Sequence, residues 1–149
     1  MCDINSLPVL INVFGVGEIG KTKTLATLYS QIQNTSSFHY IQDNQINSDD
    51  FWAIFNYKGK TVGIITMGDP GSEDVVDKFL NNCSSHHCDI IFTASRTRGE
   101  IFGMVMNYAN TNGYVFIETS PLHMRFPNGY NGNYNFLHST FASMLETLI

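Results

Sequence analysis

The sequence predicts an α/β fold with a mostly parallel sheet, built as one domain over residues 1–149. Two observations lead there. Short β-branched apolar runs, bounded by Gly, Asn or Ser, alternate with stretches whose apolar residues recur at helical spacing. Such alternation is the pattern of layered α/β proteins. A third observation is the turn Lys58-Gly59-Lys60, which joins two adjacent strand-like runs into a hairpin and adds one antiparallel edge strand.

Each element has its own reason. Residues 8–14, PVLINVF, are β-branched and apolar and lead into glycines, so they read as a buried strand. From Lys21, KTKTLATLYSQIQ sets Leu25, Leu28, Tyr29 and Ile32 on one helix face and ends near Asn34. SSFHYIQD reads as a short strand, and residues 51–67, FWAIFNYKGKTVGIITM, as the hairpin. Residues 72–82 open with Glu73 and Asp74, which favour a helix N-terminus, and place Val75, Val76, Phe79 and Leu80 on one face. CDIIFTAS is a strand, RGEIFGMVMNYAN a helix and GYVFIETS a further strand. PLHMRFPNGYNGNYNF is a long irregular connection, and LHSTFASMLETLI is a closing amphipathic helix.

Composition narrows the function classes. The formal net charge is -5, and the cations Lys21, Lys23, Lys58, Lys60, Lys78, Arg96, Arg98 and Arg125 are scattered. Without a basic stripe, a surface that neutralises many phosphates along a nucleic-acid duplex is not expected. A site for one polyphosphate is compatible with this balance. The run LPVLINVF follows Asp3 and lacks a cleavage site, unlike a secretory signal. No run approaches the roughly 20 apolar residues that span a bilayer, so no membrane partner is expected. Three cysteines without framework spacing suggest a reducing, cytoplasmic location.

Two phosphate-binding signatures overlap in FGVGEIGKTKT, residues 14–24. Gly15, Gly17 and Gly20 spell G-x-G-x-x-G, and Gly15, Gly20, Lys21 and Thr22 spell the P-loop G-x-x-x-x-G-K-T, with Val16, Glu18 and Ile19 in the same loop. Asp43, about 20 residues further on, stands where a dinucleotide site would bind a ribose hydroxyl. Lys21, Thr22, Lys23 and Thr24, however, crowd polar groups into the first helical turn. A cation there opposes the helix dipole unless a bound anion compensates. In a P-loop, backbone N–H groups cradle the phosphates, the lysine reaches the β- and γ-phosphates and the hydroxyl binds Mg²⁺. The P-loop is the preferred reading, and the dinucleotide site is the alternative.

On these residues, segment 8–33 resembles the Walker A segment of P-loop nucleoside triphosphatases and kinases. The strand–helix order is similar to that superfamily over most of the chain. VGIITMGDP and CDIIFTASRTRG also resemble elements of small, functionally unassigned bacterial P-loop proteins. The resemblance implies a P-loop NTPase-like three-layer fold and an ATP site with Mg²⁺. Gly15 to Lys23 would bind the nucleotide, and Thr22 would bind the metal. Asp69, just past the strand TVGIIT, is the candidate second acid for Mg²⁺, although Thr66, Met67 and Gly68 separate it from the apolar run that such an Asp usually ends.

Arg96 and Arg98 follow the strand CDIIFTAS and are candidates to contact phosphate, Arg96 as a catalytic cation beside Lys21 and Asp69. Ser72 replaces the glycine of a GTPase Asp-x-x-Gly, and no Asn-Lys-x-Asp follows, so adenine is favoured over guanine. Pro70 stands where an ATPase places a water-activating Glu, so rapid hydrolysis is not indicated. The expected activity is slow ATP hydrolysis or phosphoryl transfer to an unidentified acceptor. The alternative is a non-enzymatic, nucleotide-dependent switch or binding module acting on a protein partner.

Cys83, His86, His87 and Cys88 are too close together for the two separate pairs of a structural zinc site, so they read as a polar loop with Cys88 as a small core residue opening a strand. His39 and His138 read as structural. The tyrosines of FPNGYNGNYNF, residues 126–136, can stack on a base, dock a partner or simply cross the surface.

Overall fold

The structure is a computed structural model that describes residues 7–15, 20–121 and 135–149. Strand β1 (Val9–Phe14) precedes helix α1 (Lys21–Gln33), followed by strands β2 (His39–Gln45), β3 (Phe51–Tyr57) and β4 (Lys60–Ile65). Then come α2 (Glu73–Ser85), β5 (Ile90–Ser95), α3 (Glu100–Asn112), β6 (Val115–Thr119) and α4 (Asn135–Glu146). Every predicted strand and helix within the described residues is present. Val16 to Ile19, Arg125 and the irregular connection over 122–134 lie outside those residues.

The strands form one sheet in the order β2-β3-β4-β5-β1-β6. From β4 to β6 the neighbours are parallel, whereas β3 is antiparallel to both β2 and β4. The expected antiparallel edge strand is therefore corrected: β3 is internal, and β2 lies outside it. Composition explains the arrangement. Trp52 to Phe55 of β3 are fully or almost fully buried and need cover on both faces. Strand β2, HYIQDNQ, is polar and largely exposed and carries a register irregularity between Tyr40 and Gln42, both suited to an edge.

Successive residues of a strand face opposite sides, and the core divides accordingly. Ile11, Val13, Phe55, Ile64 and Phe92 pack with Leu25, Leu28 and Ile32 of α1 and with Phe141 and Leu145 of α4. On the other face, Leu10, Trp52, Ile54 and Ile91 pack with Val76 and Phe79 of α2 and Val105 of α3. Each fully buried side chain of this size contributes about 1.5–3 kcal/mol relative to exposure, so both faces hold their helices firmly. Adjacent strands β1 and β5 thus feed helices on opposite faces. In such sheets, ligands settle in the crevice beyond the strand ends where the chain diverges in this way.

Candidate functional site

The crevice between the ends of β1 and β5 is flanked by Gly15, by the start of α1 and by the segment from Ser95 to Gly99. Gly15 N–H donates to the Ser95 carbonyl at 3.1 Å, which ties the two strand ends together. A buried polar network lies just below. Asn12 Nδ2 donates to Ser95 Oγ at 2.9 Å, Thr93 Oγ1 donates to Asn12 Oδ1 at 2.9 Å, and Ser95 Oγ donates to the Arg96 carbonyl at 2.8 Å. Asn12, Thr93 and Ser95 are fully buried, so each hydrogen bond averts the cost of an unsatisfied buried group, about 1–3 kcal/mol. Sequence reasoning missed this support. Its signal was one Asn inside LINVF and alternating Thr and Ser in IIFTAS.

Lys21 is only 7% exposed, and its Nζ donates to the Gly15 carbonyl at 2.5 Å. Burial lowers its pKa below the ordinary 10.5; the negative charge of Asp69 opposes that shift and the Arg96 cation adds to it. Lys21, Asp69 and Arg96 therefore share one electrostatic neighbourhood. An anion placed among them would favour the protonated lysine again. Helix α1 begins at Gly20 without a side-chain cap and without an acidic residue in its first turn. Gly20 has φ of 95°, and a Cβ there would lie 2.5 Å from His138 Nε2, so the start of α4 covers this helix end closely.

The loop after β4 rides over the end of β5. A Cβ on Gly68 would lie 1.8 Å from the Ala94 carbonyl oxygen, so only glycine permits this approach. The approach carries Asp69 to the rim, where Arg96 Nε lies 3.5 Å from its Oδ1. The two side chains are 48% and 61% exposed, and such a surface pair contributes only about 0–1 kcal/mol. The Ser72 hydroxyl donates to the Asp69 carbonyl. Glu73 Oε1 accepts the Gly71 N–H at 3.2 Å; hydrogen bonds from its own N–H and then from that of Gly71 hold its carboxyl below the ordinary range. Glu73 is thus engaged at the start of α2. Arg98 is exposed in the segment after Arg96.

Thr22 meets a residue that sequence reasoning overlooked. Its hydroxyl donates to the Thr66 carbonyl at 3.2 Å and lies 3.5 Å from Asp50 Oδ1. Because β3 runs against its neighbours, its start lies on the same rim as the ends of the parallel strands. The signal was available in the hairpin: counted outward from the Lys58-Gly59 turn, the register brings Phe51 beside Thr66, whose backbone N–H donates to the Phe51 carbonyl at 3.0 Å.

Other sequence-derived candidates fall elsewhere. Asp43 is exposed on β2, accepts a hydrogen bond from Tyr40 at 3.2 Å, and is separated from β1 by β3, β4 and β5. Asp89, just before β5, accepts the Thr61 N–H at 2.9 Å at the opposite rim. Cys83 and Cys88 are buried in the α2–α3 core, and His86 Nε2 pairs with Gln42 Oε1 at 3.3 Å. A cavity of about 300 Å³ runs between α1 and the β2–β3 edge, lined in part by Tyr29, Gln33 and Asp43; Lys21, Thr22, Asp69 and Arg96 do not line it. The cation and hydroxyl chemistry of the rim is the better guide to function.

Among the described residues no group of three His, Cys, Asp or Glu side chains could by itself hold a metal ion. On the rim the Thr22 hydroxyl and Asp50 Oδ1 lie 3.5 Å apart, oxygen donors of the type hard divalent cations take. Among the described residues, no helix is long and apolar enough to cross a membrane. No protein-family profile matches the chain, and no curated protein or solved structure matches it.

Proposed function

We propose that this chain is a P-loop protein that binds Mg²⁺-ATP and either hydrolyses it slowly or transfers its γ-phosphoryl group. The observation that carries this reading is Lys21, buried and bonded to Gly15 at the start of a helix whose first turn lacks an acid, beside the crevice where β1 and β5 diverge. Backbone N–H groups of α1 and the lysine ammonium would receive phosphate oxygens. Thr22 would contribute its hydroxyl oxygen to the cation, whose chemistry is to neutralise charge on the phosphates. Arg96, held by Asp69 only through an exposed pair, could exchange that partner for a phosphate oxygen. Asp69 would then be released toward the cation's water shell.

The engagement of Glu73 with Gly71, and Pro70 after Asp69, support slow rather than rapid hydrolysis. The remoteness of Asp43 from β1 counts against the dinucleotide reading. A second reading draws on the exposed Arg96–Asp69 pair, which joins the segments after β4 and β5. A γ-phosphate that draws Arg96 away would reorder both segments, as in a nucleotide-dependent switch.

Calorimetry with Lys21→Ala tests the shared core of both readings. Loss of charge-assisted bonds worth about 2–4 kcal/mol should weaken Mg²⁺-ATP binding by about 30- to 1000-fold. Unchanged affinity refutes the assignment. Thermal shifts with ATP, ADP, GTP and NAD, with and without Mg²⁺, then rank the ligands by their stabilisation of the native state. Turnover with an added acceptor marks a phosphotransferase, whereas a partner that distinguishes ATP from ADP marks a switch.

A further inference from the structure

The apolar run of β4 ends at Thr66, the position at which the P-loop pattern places its Mg²⁺-organising aspartate. The Thr66 hydroxyl accepts the Phe51 N–H at 3.0 Å and lies 3.0 Å from Asp50 Oδ1, to which it can donate. The carboxylate missing from the end of β4 is thereby replaced, in space, by one from the start of the neighbouring antiparallel strand. We propose that Asp50 supplies the acidic charge that holds a divalent cation beside Thr22, an inference that rests on the nucleotide-binding reading above.

Three features make Asp50 suited to this task. Its orientation is set by neutral donors, the Thr66 hydroxyl on Oδ1 and Asn47 Nδ2 at 3.2 Å on Oδ2. Asn47 Oδ1 in turn accepts the backbone N–H groups of Asp49 and Asp50, both at 2.8 Å, so the carboxylate stands on a braced turn. An ionised carboxylate has about four lone-pair sites, and two such donors leave capacity for a cation or its water.

The charge balance differs between the two candidate acids. Among the described residues Asp69 is paired with Arg96, whereas Asp50 forms no ion pair. Finally, the Thr22 hydroxyl can donate its one proton to the Thr66 carbonyl at 3.2 Å or to Asp50 Oδ1 at 3.5 Å, and in either case it keeps oxygen lone pairs beside Asp50. Hard divalent cations select such oxygen donors. A purely structural Asp50 would instead stabilise the N-terminus of α1 through its dipole, and the two roles separate in experiment.

The test measures ATP affinity by calorimetry in Mg²⁺ and in EDTA for the wild type, Asp50→Asn, Asp69→Asn and Lys21→Ala. Asp50→Asn should lower affinity in Mg²⁺ by at least about tenfold, leave affinity in EDTA unchanged or improved, and preserve the ligand-free unfolding temperature. Asp69→Asn, which removes only a contact through the cation's water shell, should lose less of the Mg²⁺ enhancement than Asp50→Asn. A full Mg²⁺ enhancement in Asp50→Asn, or its loss in Asp69→Asn alone, overturns the inference. A fall in ligand-free stability with the enhancement intact assigns Asp50 to the helix dipole and also overturns it.

Independently of any variant, Fe²⁺ can be substituted for Mg²⁺ in the wild-type ATP complex and the chain cleaved oxidatively with ascorbate and peroxide. Cuts near Asp50 and Thr22 support the inference, and cuts near Asp69 without cuts near Asp50 oppose it. If the wild type binds no ATP, or Lys21→Ala binds it normally, the nucleotide reading itself fails and takes this inference with it. ATP binding lost in Lys21→Ala but indifferent to Asp50 removes the inference alone.

Discussion

Helices α1 and α2 both follow strands that end on the same rim, yet their first turns are opposites. Helix α2 carries Glu73 and Asp74 in its first turn, and Glu73 accepts a backbone N–H of its own turn. Helix α1 begins Gly20-Lys21-Thr22-Lys23, with no acid and no side-chain cap. The N–H groups and dipole of a helix start attract negative charge. Helix α2 supplies that charge from its own sequence; α1 has none in its first turn. The contrast supports the proposal that the start of α1 receives an anion, whereas that of α2 carries its own.

Three changes break or sharpen this contrast. The largest effect is expected from Gly68→Ala, because the glycine lets the loop leading to α2 cross the end of β5. The added Cβ meets the Ala94 carbonyl, which belongs to a fixed backbone. A loss of about 2–4 kcal/mol in denaturant unfolding should follow, with displacement of Asp69 from Arg96. An unchanged midpoint would show that the two helix starts need not share a rim.

A moderate effect should come from Lys23→Glu, which places an acid in the first turn of α1 and makes it resemble α2. Lys23 is exposed, so ligand-free stability should rise by about 0.3–1 kcal/mol while Mg²⁺-ATP affinity falls several-fold. If stability and affinity instead move in the same direction, the start of α1 is not a site that exchanges self-stabilisation for an anion.

Glu73→Gln should give the smallest effect, confined to α2. The carboxyl pKa of Glu73 is lowered from the ordinary 4.5 by hydrogen bonds from its own N–H and that of Gly71. The folded protein therefore binds this proton less readily than the unfolded chain. The stabilisation is present above about pH 4.5 and is lost as pH falls through the folded-state value. Thermal unfolding should show wild type above Glu73→Gln at neutral pH, with the gap closing in acid, and nucleotide affinity equal in both. A pH-independent gap would mean that ionisation of Glu73 contributes nothing.

Much of this was legible in the chain. Leu25, Leu28 and Ile32 fixed the face of α1 by spacing alone, and the alternating runs placed the strands. Lys21 and Thr22 were legible because a strand, a glycine loop and a helix start are contiguous in sequence. Periodicity has no information on which strands become neighbours, however. It therefore set the antiparallel strand at the edge, when the buried side chains of β3 required β2 outside it. Asp69 was sought at a strand end because that rule treats strands as parallel; the start of β3 reaches the same rim only because β3 runs the other way.

By itself, then, the sequence determined the α/β class, the order of elements and the Gly-Lys-Thr start of α1, all set by contacts within a few residues. Only the tertiary structure decided that Asn12 would brace Ser95, that Arg96 would face Asp69 and that Asp50 would stand beside Thr22. Those partners are joined by strand order and register. Both are set by how two apolar faces of one sheet are covered at once, which no single segment encodes.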